Sequence, residues 1–259
     1  MSGSPIICFG QQPSGVFPRR FLIAKILTAR RIQKEIGGQV VWFYHDSDHD
    51  PRETRMLLRH RVINELSDLN FEFENKLQRK FSPLFLKRIL PDWPRRAANK
   101  LSNYIERPLV EQFKQITANN VADFCLEMYR RLGLLEGVRI ARSSDPEFRS
   151  AACDVPDFFV DLEYRGEVVR ARRVDDRLVL HEGGDSYVTV PCASFTKQQI
   201  SPTRDTRLKW MQSVIHCTHY VAGASEQDYL CKADAPEITY LARDTIERSD
   251  EAYTQFCWP

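Results

Sequence analysis

The first fifty residues alternate between strand, turn and helix patterns, and this order constrains the fold more than any other feature of the chain. An apolar run at 6–9 leads into Gly10-Gln11-Gln12-Pro13. A second run at 39–44, β-branched and aromatic without alternation, leads into Asp46-Ser47-Asp48-His49-Asp50. Between them, apolar residues recur every three or four positions from Leu22 to Ile36 and predict an amphipathic helix. Two fully covered strands joined by a helix are typical of a parallel α/β sheet with a right-handed crossover.

Both polar turns follow a strand, so we expect them at the edge of the sheet where parallel sheets bind ligands. Gln11 and Gln12 offer amide donors beside a helix N-terminus, which favours an anion, although the turn has neither a dinucleotide fingerprint nor a Walker loop. In the second turn, Asp48 and Asp50 are predicted to orient His49 as a charge stabiliser or proton shuttle. These carboxylates are also suited to binding a divalent metal through oxygen, and the remaining alternative is that both turns are solvated. In each case Asp50 is expected to cap a helix that begins at Pro51.

Five segments are predicted along the chain. They are the first half of a Rossmann-like core (1–70), an inserted basic helical segment (71–137), a return to the core (138–157), a β-meander (158–192) and the second half of the core (193–259). The fold class that we expect is therefore α/β: a Rossmann-like parallel sheet with an inserted helical segment and a small β-meander.

The remaining elements are predicted from periodicity and turn residues. Helices are expected at 52–68 and 203–216, a polar loop at 218–226, a strand at 237–242 and a charged loop at 243–249. Two apolar stripes mark the helical segment: Leu101, Ile105, Leu109, Phe113 and Ile116, then Val121, Phe124, Met128 and Leu132.

Composition excludes several classes of protein. The formal net charge is +2, hydrophobic residues make up 42% of the chain, and the longest apolar runs are too short to span a bilayer, so no membrane partner is expected. Seven cysteines without a C-x-x-C pair, and no signal-like N-terminal pattern, predict reduced thiols in a cytoplasmic protein. Residues 76–139 hold thirteen Lys or Arg against six Asp or Glu, which indicates either a solvated helix face or an RNA-binding surface.

Several cysteines and histidines invite a chemical interpretation. His216, Cys217 and His219 have no standard zinc spacing, so no metal site is predicted, and Cys8 inside the first strand is interpreted as a core residue. The segment from Tyr220 to Glu226 is a small-residue turn that ends in a carboxylate, and it is either a ligand-binding loop or a tight connector.

The chain resembles the cysteine-adding enzymes of bacillithiol biosynthesis, in the nucleotidylyltransferase and class I aminoacyl-tRNA synthetase superfamily. Three patches carry the resemblance: Gly10-Gln11-Gln12-Pro13 with Lys25; Asp48-His49-Asp50 with Glu53; and Ser201-Pro202, Arg207 and the run from Tyr220 to Tyr229. The resemblance implies a bacterial, cytoplasmic, ligase-like enzyme. Such an enzyme activates the carboxylate of an amino acid, cysteine in that family, and joins it to an amine on an amino-sugar-like acceptor, with ATP and Mg²⁺ as the implied cofactors.

The resemblance also implies roles for individual residues. His49 would be catalytic with Asp48 and Asp50, and Glu226 would hold an ammonium group. The residues expected to bind substrate or phosphate are Gly10, Gln11, Gln12, Lys25, Arg207, Tyr220, Gly223, Ser225 and Glu226.

The chain departs from this family in ways that keep other functions open. Ala222, Ala224 and Ser225 replace family glycines and a proline, the superfamily's His-x-Gly-His signature is missing, and the long coiled-coil region with its dimer contacts is reduced. A small-molecule binding protein that has lost catalysis is therefore the alternative to a ligase. RNA binding through the basic helices is a second alternative, although nucleic acid is the less expected partner.

Overall fold

The computed structural model describes residues 3–60, 62–191, 194–245 and 256–257. The strands are β1 (Ile6–Gln11), β2 (Gln39–Tyr44), β3 (Met56–Arg59), β4 (Leu66–Leu69), β5 (Val138–Arg142), β6 (Phe158–Tyr164), β7 (Glu167–Val174), β8 (Arg177–Gly183), β9 (Ser186–Val190), β10 (Ile200–Pro202), β11 (His219–Ala222), β12 (Thr239–Ala242) and β13 (Phe256–Cys257). The α-helices are α1 (Arg20–Ile36), α2 (Lys76–Phe81), α3 (Trp93–Leu101), α4 (Arg107–Lys114), α5 (Val121–Arg131), α6 (Pro146–Ala151), α7 (Arg207–Ile215) and α8 (Ala224–Gln227).

A five-stranded parallel sheet in the order β12-β11-β1-β2-β5 forms the centre of the molecule and confirms the predicted α/β fold. Alternate residues of β2 enter two different cores. Trp42 packs with α1 and the helices α3 to α5 on one face, while Phe43 packs with α6, α7 and the second sheet on the other. Burial on both faces explains why β2 shows no polar alternation in sequence.

The predicted first helix is α1, which buries one face that includes Leu22 and Ile26 against the sheet. It ends at Gly37, which adopts a φ of 76° that costs glycine little, and the Gly37 backbone N–H donates to the carbonyl of Gln33. The turn into β2 is therefore set by sequence, and β2 lies directly beside β1.

The predicted β-meander forms a second, antiparallel sheet in the order β10-β6-β7-β8-β9. Its buried side chains share a core with Phe43 of the parallel sheet. The meander thus lies against the same face as α7, close to the end of β2.

Two predictions about local structure are wrong. Residues 52–68 are not one helix but a 3₁₀ turn (Pro51–Thr54) followed by the hairpin of β3 and β4. Met56 and Leu58 are buried and alternate with more exposed neighbours, which is a strand period of two. The expected polar loop at 218–226 contains β11, a strand in the interior of the sheet that is too short to give a clear periodic signal.

Two further predictions fall partly outside the described residues: the charged loop beyond 245, and the segment boundary at 192 and 193. Among the described residues, no helix combines the length and the apolar character needed to cross a membrane.

Candidate functional site

The structure places the three predicted turns at one edge of the sheet, because β1, β2 and β11 run parallel and end there. The turns after β1 and β11 form one cavity of about 490 Å³, hereafter the strand-end cavity. Eight of the predicted site residues line it: Gly10, Gln11, Gln12, Lys25, Arg207, Gly223, Ser225 and Glu226. The turn after β2 contributes to this cavity only through Glu53.

Lys25 and Glu226 form a buried ion pair at the wall of this cavity. The Lys25 Nζ lies 2.5 Å from Glu226 Oε2, and it also donates to the Gly10 carbonyl at 2.7 Å and to Gln11 Oε1 at 3.2 Å. Glu226 accepts in addition from the hydroxyl of Tyr220 at 2.9 Å and from the Gly223 backbone N–H. Each of the three ammonium hydrogens of Lys25 has a protein acceptor. The Lys25–Glu226 pair therefore has a structural role, which is to hold the cavity wall in position.

Gly10 is required by packing behind the wall. A Cβ atom at this position would lie 2.5 Å from the Tyr220 hydroxyl and 3.2 Å from His45 Nε2. His45 is buried, and its Nε2 has no hydrogen-bonding partner among the described residues. Burial, followed by the charges of Arg207 and Lys25, lowers the pKa of His45 well below its ordinary value, so a neutral ring lies beneath the Gly-Gln-Gln turn.

Three charged side chains line the strand-end cavity without a hydrogen-bonding or ion-pair partner in the described part of the chain: Arg207, Arg243 and Glu53. Arg207 begins α7, Arg243 follows β12, and Glu53 lies in the 3₁₀ turn after β2. Burial and the nearby Asp48 raise the pKa of Glu53. The cavity therefore presents cations and a carboxylate that are free to contact a ligand bearing both signs of charge.

The carboxylates after β2 diverge instead of forming one cluster. Asp46 is buried and accepts from the Arg142 guanidinium and from Ser144, and Asp50 caps the 3₁₀ turn and pairs with Arg52. Asp48 accepts from the Gln12 side-chain amide at 3.1 Å. The predicted capping role of Asp50 is confirmed. Within the described ranges, no group of three or more His, Cys, Asp or Glu could hold a metal ion.

Asp48 lies between two regions. On one side it bonds Gln12 of the strand-end cavity, and on the other its Oδ1 is 3.8 Å from the Arg170 guanidinium. Burial alone would raise the pKa of Asp48, but the charge of Arg170, with that of Arg207, holds it well below its usual range. Asp48 is therefore ionised near neutral pH, and it links the Gly-Gln-Gln turn to the meander.

His49 does not line the strand-end cavity. It lies at a second cavity of about 540 Å³ beside the meander, where its Nδ1 is 3.4 Å from Arg170. Burial, followed by the charge of Arg170, lowers the pKa of His49 to about 4. His49 is thus neutral near pH 7, and since Arg170 can only donate, the contact assigns the ring proton to Nε2. The structure therefore separates His49 from Gln11 and Glu226.

The loop that carries His49 is fixed by residues distant in sequence. The Lys87 ammonium donates to the His49 carbonyl at 2.6 Å and to the Arg79 carbonyl at 2.9 Å, and burial lowers the pKa of Lys87 to about 7. The Leu84 backbone N–H donates to the Asp48 carbonyl. The inserted segment therefore holds the turn after β2 in place.

The Ser201-Pro202 pair, noted in sequence, holds Arg170. The Arg170 Nε donates to Ser201 Oγ at 3.0 Å, and a terminal nitrogen donates to the Pro202 carbonyl at 2.9 Å. Arg170 itself gave no signal in sequence, because it is one of several arginines in a β-strand. Arg243 and His45 were missed for a similar reason, since each follows a strand without a motif around it.

Other sequence candidates lie in packed surroundings. Cys8 is buried in β1, and burial raises its thiol pKa, in agreement with a core role. Cys217 is also buried and bonds Gln212.

In comparisons with known proteins, no family model and no curated protein matches the chain. The resemblance to the cysteine-adding enzymes of bacillithiol biosynthesis therefore stays a prediction.

Proposed function

We propose that the protein binds an amino acid in the strand-end cavity and joins its activated carboxylate to an amine. The observation that carries this proposal is a set of charges without a hydrogen-bonding or ion-pair partner among the described residues: Arg207, Arg243 and Glu53 face one cavity at the carboxyl ends of parallel strands. An amino acid carries a carboxylate for the arginines and an ammonium group for Glu53. The family resemblance suggests cysteine as the amino acid and an amino-sugar-like compound as the acceptor.

The residues of the cavity fit the implied cofactors, ATP and Mg²⁺. Arg207 and Arg243 form no ion pair within the described residues, and they would hold phosphate together with Gln12. Because Glu53 is assigned to the ammonium group of the amino acid, Mg²⁺ would be held by the ATP phosphates and by water, since it keeps several waters and needs few protein ligands. When bound, ATP would supply the phosphoryl or adenylyl group that turns a carboxylate oxygen into a leaving group.

The roles of other residues follow from their contacts. Lys25 and Glu226 pair with each other and hold the cavity wall in place. We therefore assign binding of the amino acid's ammonium group to Glu53 instead of Glu226. His49 lines the cavity beside the meander. It is connected to the strand-end cavity only through the neighbouring Asp48, which accepts a hydrogen bond from Gln12.

Calorimetric titration with L-cysteine, L-serine and L-glutamate, with and without Mg-ATP, tests the proposal. We expect at least one amino acid to bind. We expect Arg207→Gln and Glu53→Gln each to weaken binding by about tenfold or more, since a hydrogen bond to a charged group contributes about 1.5–3 kcal/mol. Lys209→Gln, an exposed position on the same helix, is the matched control and should bind normally. Equal loss in the control, or no binding to the wild-type protein, would contradict the proposal.

A binding protein without catalysis is the second candidate. It is favoured by the position of His49 outside the strand-end cavity and by the saturated contacts of Lys25. Release of AMP or ADP that depends on both the amino acid and an amine acceptor supports the ligase. Amino-acid binding that leaves ATP intact supports the binding protein.

A further inference from the structure

The cavity beside the meander has a different character from the strand-end cavity. It occupies about 540 Å³ between the meander strands and the turn after β2. Its wall includes Phe159, Arg170, Arg172, Arg177, His181 and Tyr187, and no carboxylate is among its lining residues in the described part of the chain. The wall therefore combines cations with aromatic rings.

The three arginines of this wall differ in the contacts that their side chains make within the protein. Arg170 is 6% exposed and is fixed by Ser201 and Pro202, and its guanidinium lies 3.7 Å from the centroid of the Phe159 ring. Arg172 pairs with Asp157 at the rim. The Arg177 side chain has no hydrogen-bonding partner within the described ranges of the chain, although its backbone pairs with Val174 of β7. Asp48 lies 3.8 Å from Arg170 and Asp157 pairs with Arg172, so Arg177 is the arginine of this wall that forms no ion pair in the described part of the chain.

The aromatic side chains are held in place beside these charges. Tyr187 is 60% exposed, and its ring stacks on that of His181 with centroids 4.9 Å apart. His181 is in turn held by the Gly184 carbonyl at 2.7 Å from its Nε2. A large aromatic ring that stays exposed at the mouth of a cavity offers a stacking surface to a planar ligand.

We propose that this meander cavity binds an organic anion that carries a planar ring, such as an aromatic carboxylate or a nucleoside monophosphate. The anionic group pairs with Arg177, beside the largely buried guanidinium of Arg170, while the ring stacks against Tyr187. This site is independent of amino-acid binding in the strand-end cavity, from which it differs in its lining and its charge.

Calorimetric titration of the full chain with phenyl phosphate, benzoate, AMP and inorganic phosphate tests the proposal. At least one ring-bearing probe should bind, and more tightly than inorganic phosphate by about tenfold, because stacking adds to the charge interaction. Arg177→Gln and Tyr187→Ala should each weaken that binding by about fivefold or more. Both positions are exposed on strands, and unchanged circular dichroism will show that each variant is folded.

Arg165→Gln is the matched control, since it removes an equal charge from an exposed position of the same sheet, at the turn between β6 and β7. It should bind the probe as the wild-type protein does. Arg207→Gln separates this site from the strand-end cavity and should also leave the probe affinity unchanged. The proposal is overturned if no ring-bearing probe binds at millimolar concentration, if inorganic phosphate binds equally well, if Arg165→Gln weakens binding as much as Arg177→Gln, or if only Arg207→Gln abolishes binding.

Discussion

Two charge networks lie at the same edge of the sheet, and they neutralise their charges in different ways. After β1 and β11, Lys25 and Glu226 are in direct contact and nearly inaccessible, with side chains 4% and 12% exposed. After β2, Asp48 is 3.8 Å from Arg170 and depends also on the Gln12 amide and on the His49 backbone N–H, while the His49 ring stays neutral. The first network is therefore stabilised by one buried ion pair. The stability of the second network depends on whether the His49 ring is protonated.

Removing one partner of the first network should have the largest effect. Glu226→Ala leaves the Lys25 ammonium buried without its anion, and we expect the free energy of unfolding to fall by about 3–5 kcal/mol. Chemical denaturation at neutral pH measures this change. Glu111→Ala, which breaks the exposed pair with Lys114, should cost about 0.5 kcal/mol or less. If the free energy of unfolding falls by a similar amount in the two variants, burial does not determine how much each ion pair contributes to stability.

The second network should respond to pH. The pKa of His49 is about 4 in the folded protein, against 6.5 for an unperturbed histidine. Between these values the unfolded chain binds a proton at this position and the folded chain does not, so the free energy of unfolding falls as the pH falls from 6.5 to 4. The full shift corresponds to about 3 kcal/mol.

His49→Asn isolates this contribution. His45 shifts in the same direction, and the variant keeps its contribution and those of Lys87 and Glu53, so only the part of the slope due to His49 should be lost. Denaturant titrations at several pH values between 4 and 7 measure the slope, and the difference between the two proteins gives the part due to His49 together with its coupling to Asp48. An identical slope in the variant would mean that His49 titrates normally in the folded state.

The two networks were predictable from sequence to different degrees. The position of Gln11, Gln12 and Glu226 at one cavity follows from a general property of parallel sheets, because every strand end faces the same edge. The sequence could not show that β11 is a strand, since four residues carry too little periodicity. The sequence pattern therefore predicts a polar loop over the whole of 218–226, although it identifies Glu226 itself as a candidate site residue.

The second network depends on contacts over long distances in sequence. Arg170 lies 121 residues from His49, and Ser201 lies 31 residues beyond Arg170. No local pattern encodes this pairing, so the motif around His49 indicated a single polar cluster. Tertiary packing instead separated the carboxylates of Asp46, Asp48 and Asp50 by giving each its own partner.

The smallest effect on stability is expected for substitutions of Asp50, a residue for which the sequence predicts two roles. Asp50 was predicted both to orient His49 and to cap the turn at Pro51, and its carboxylate accepts from the Arg52 backbone N–H at 2.9 Å. Asp50→Ala should lower the free energy of unfolding by about 1 kcal/mol through loss of this cap. Amino-acid affinity should not change, because Asp50 does not line the strand-end cavity. Asp50→Asn retains a capping oxygen and should recover most of the stability, whereas weaker amino-acid binding in both variants would instead make Asp50 part of the site.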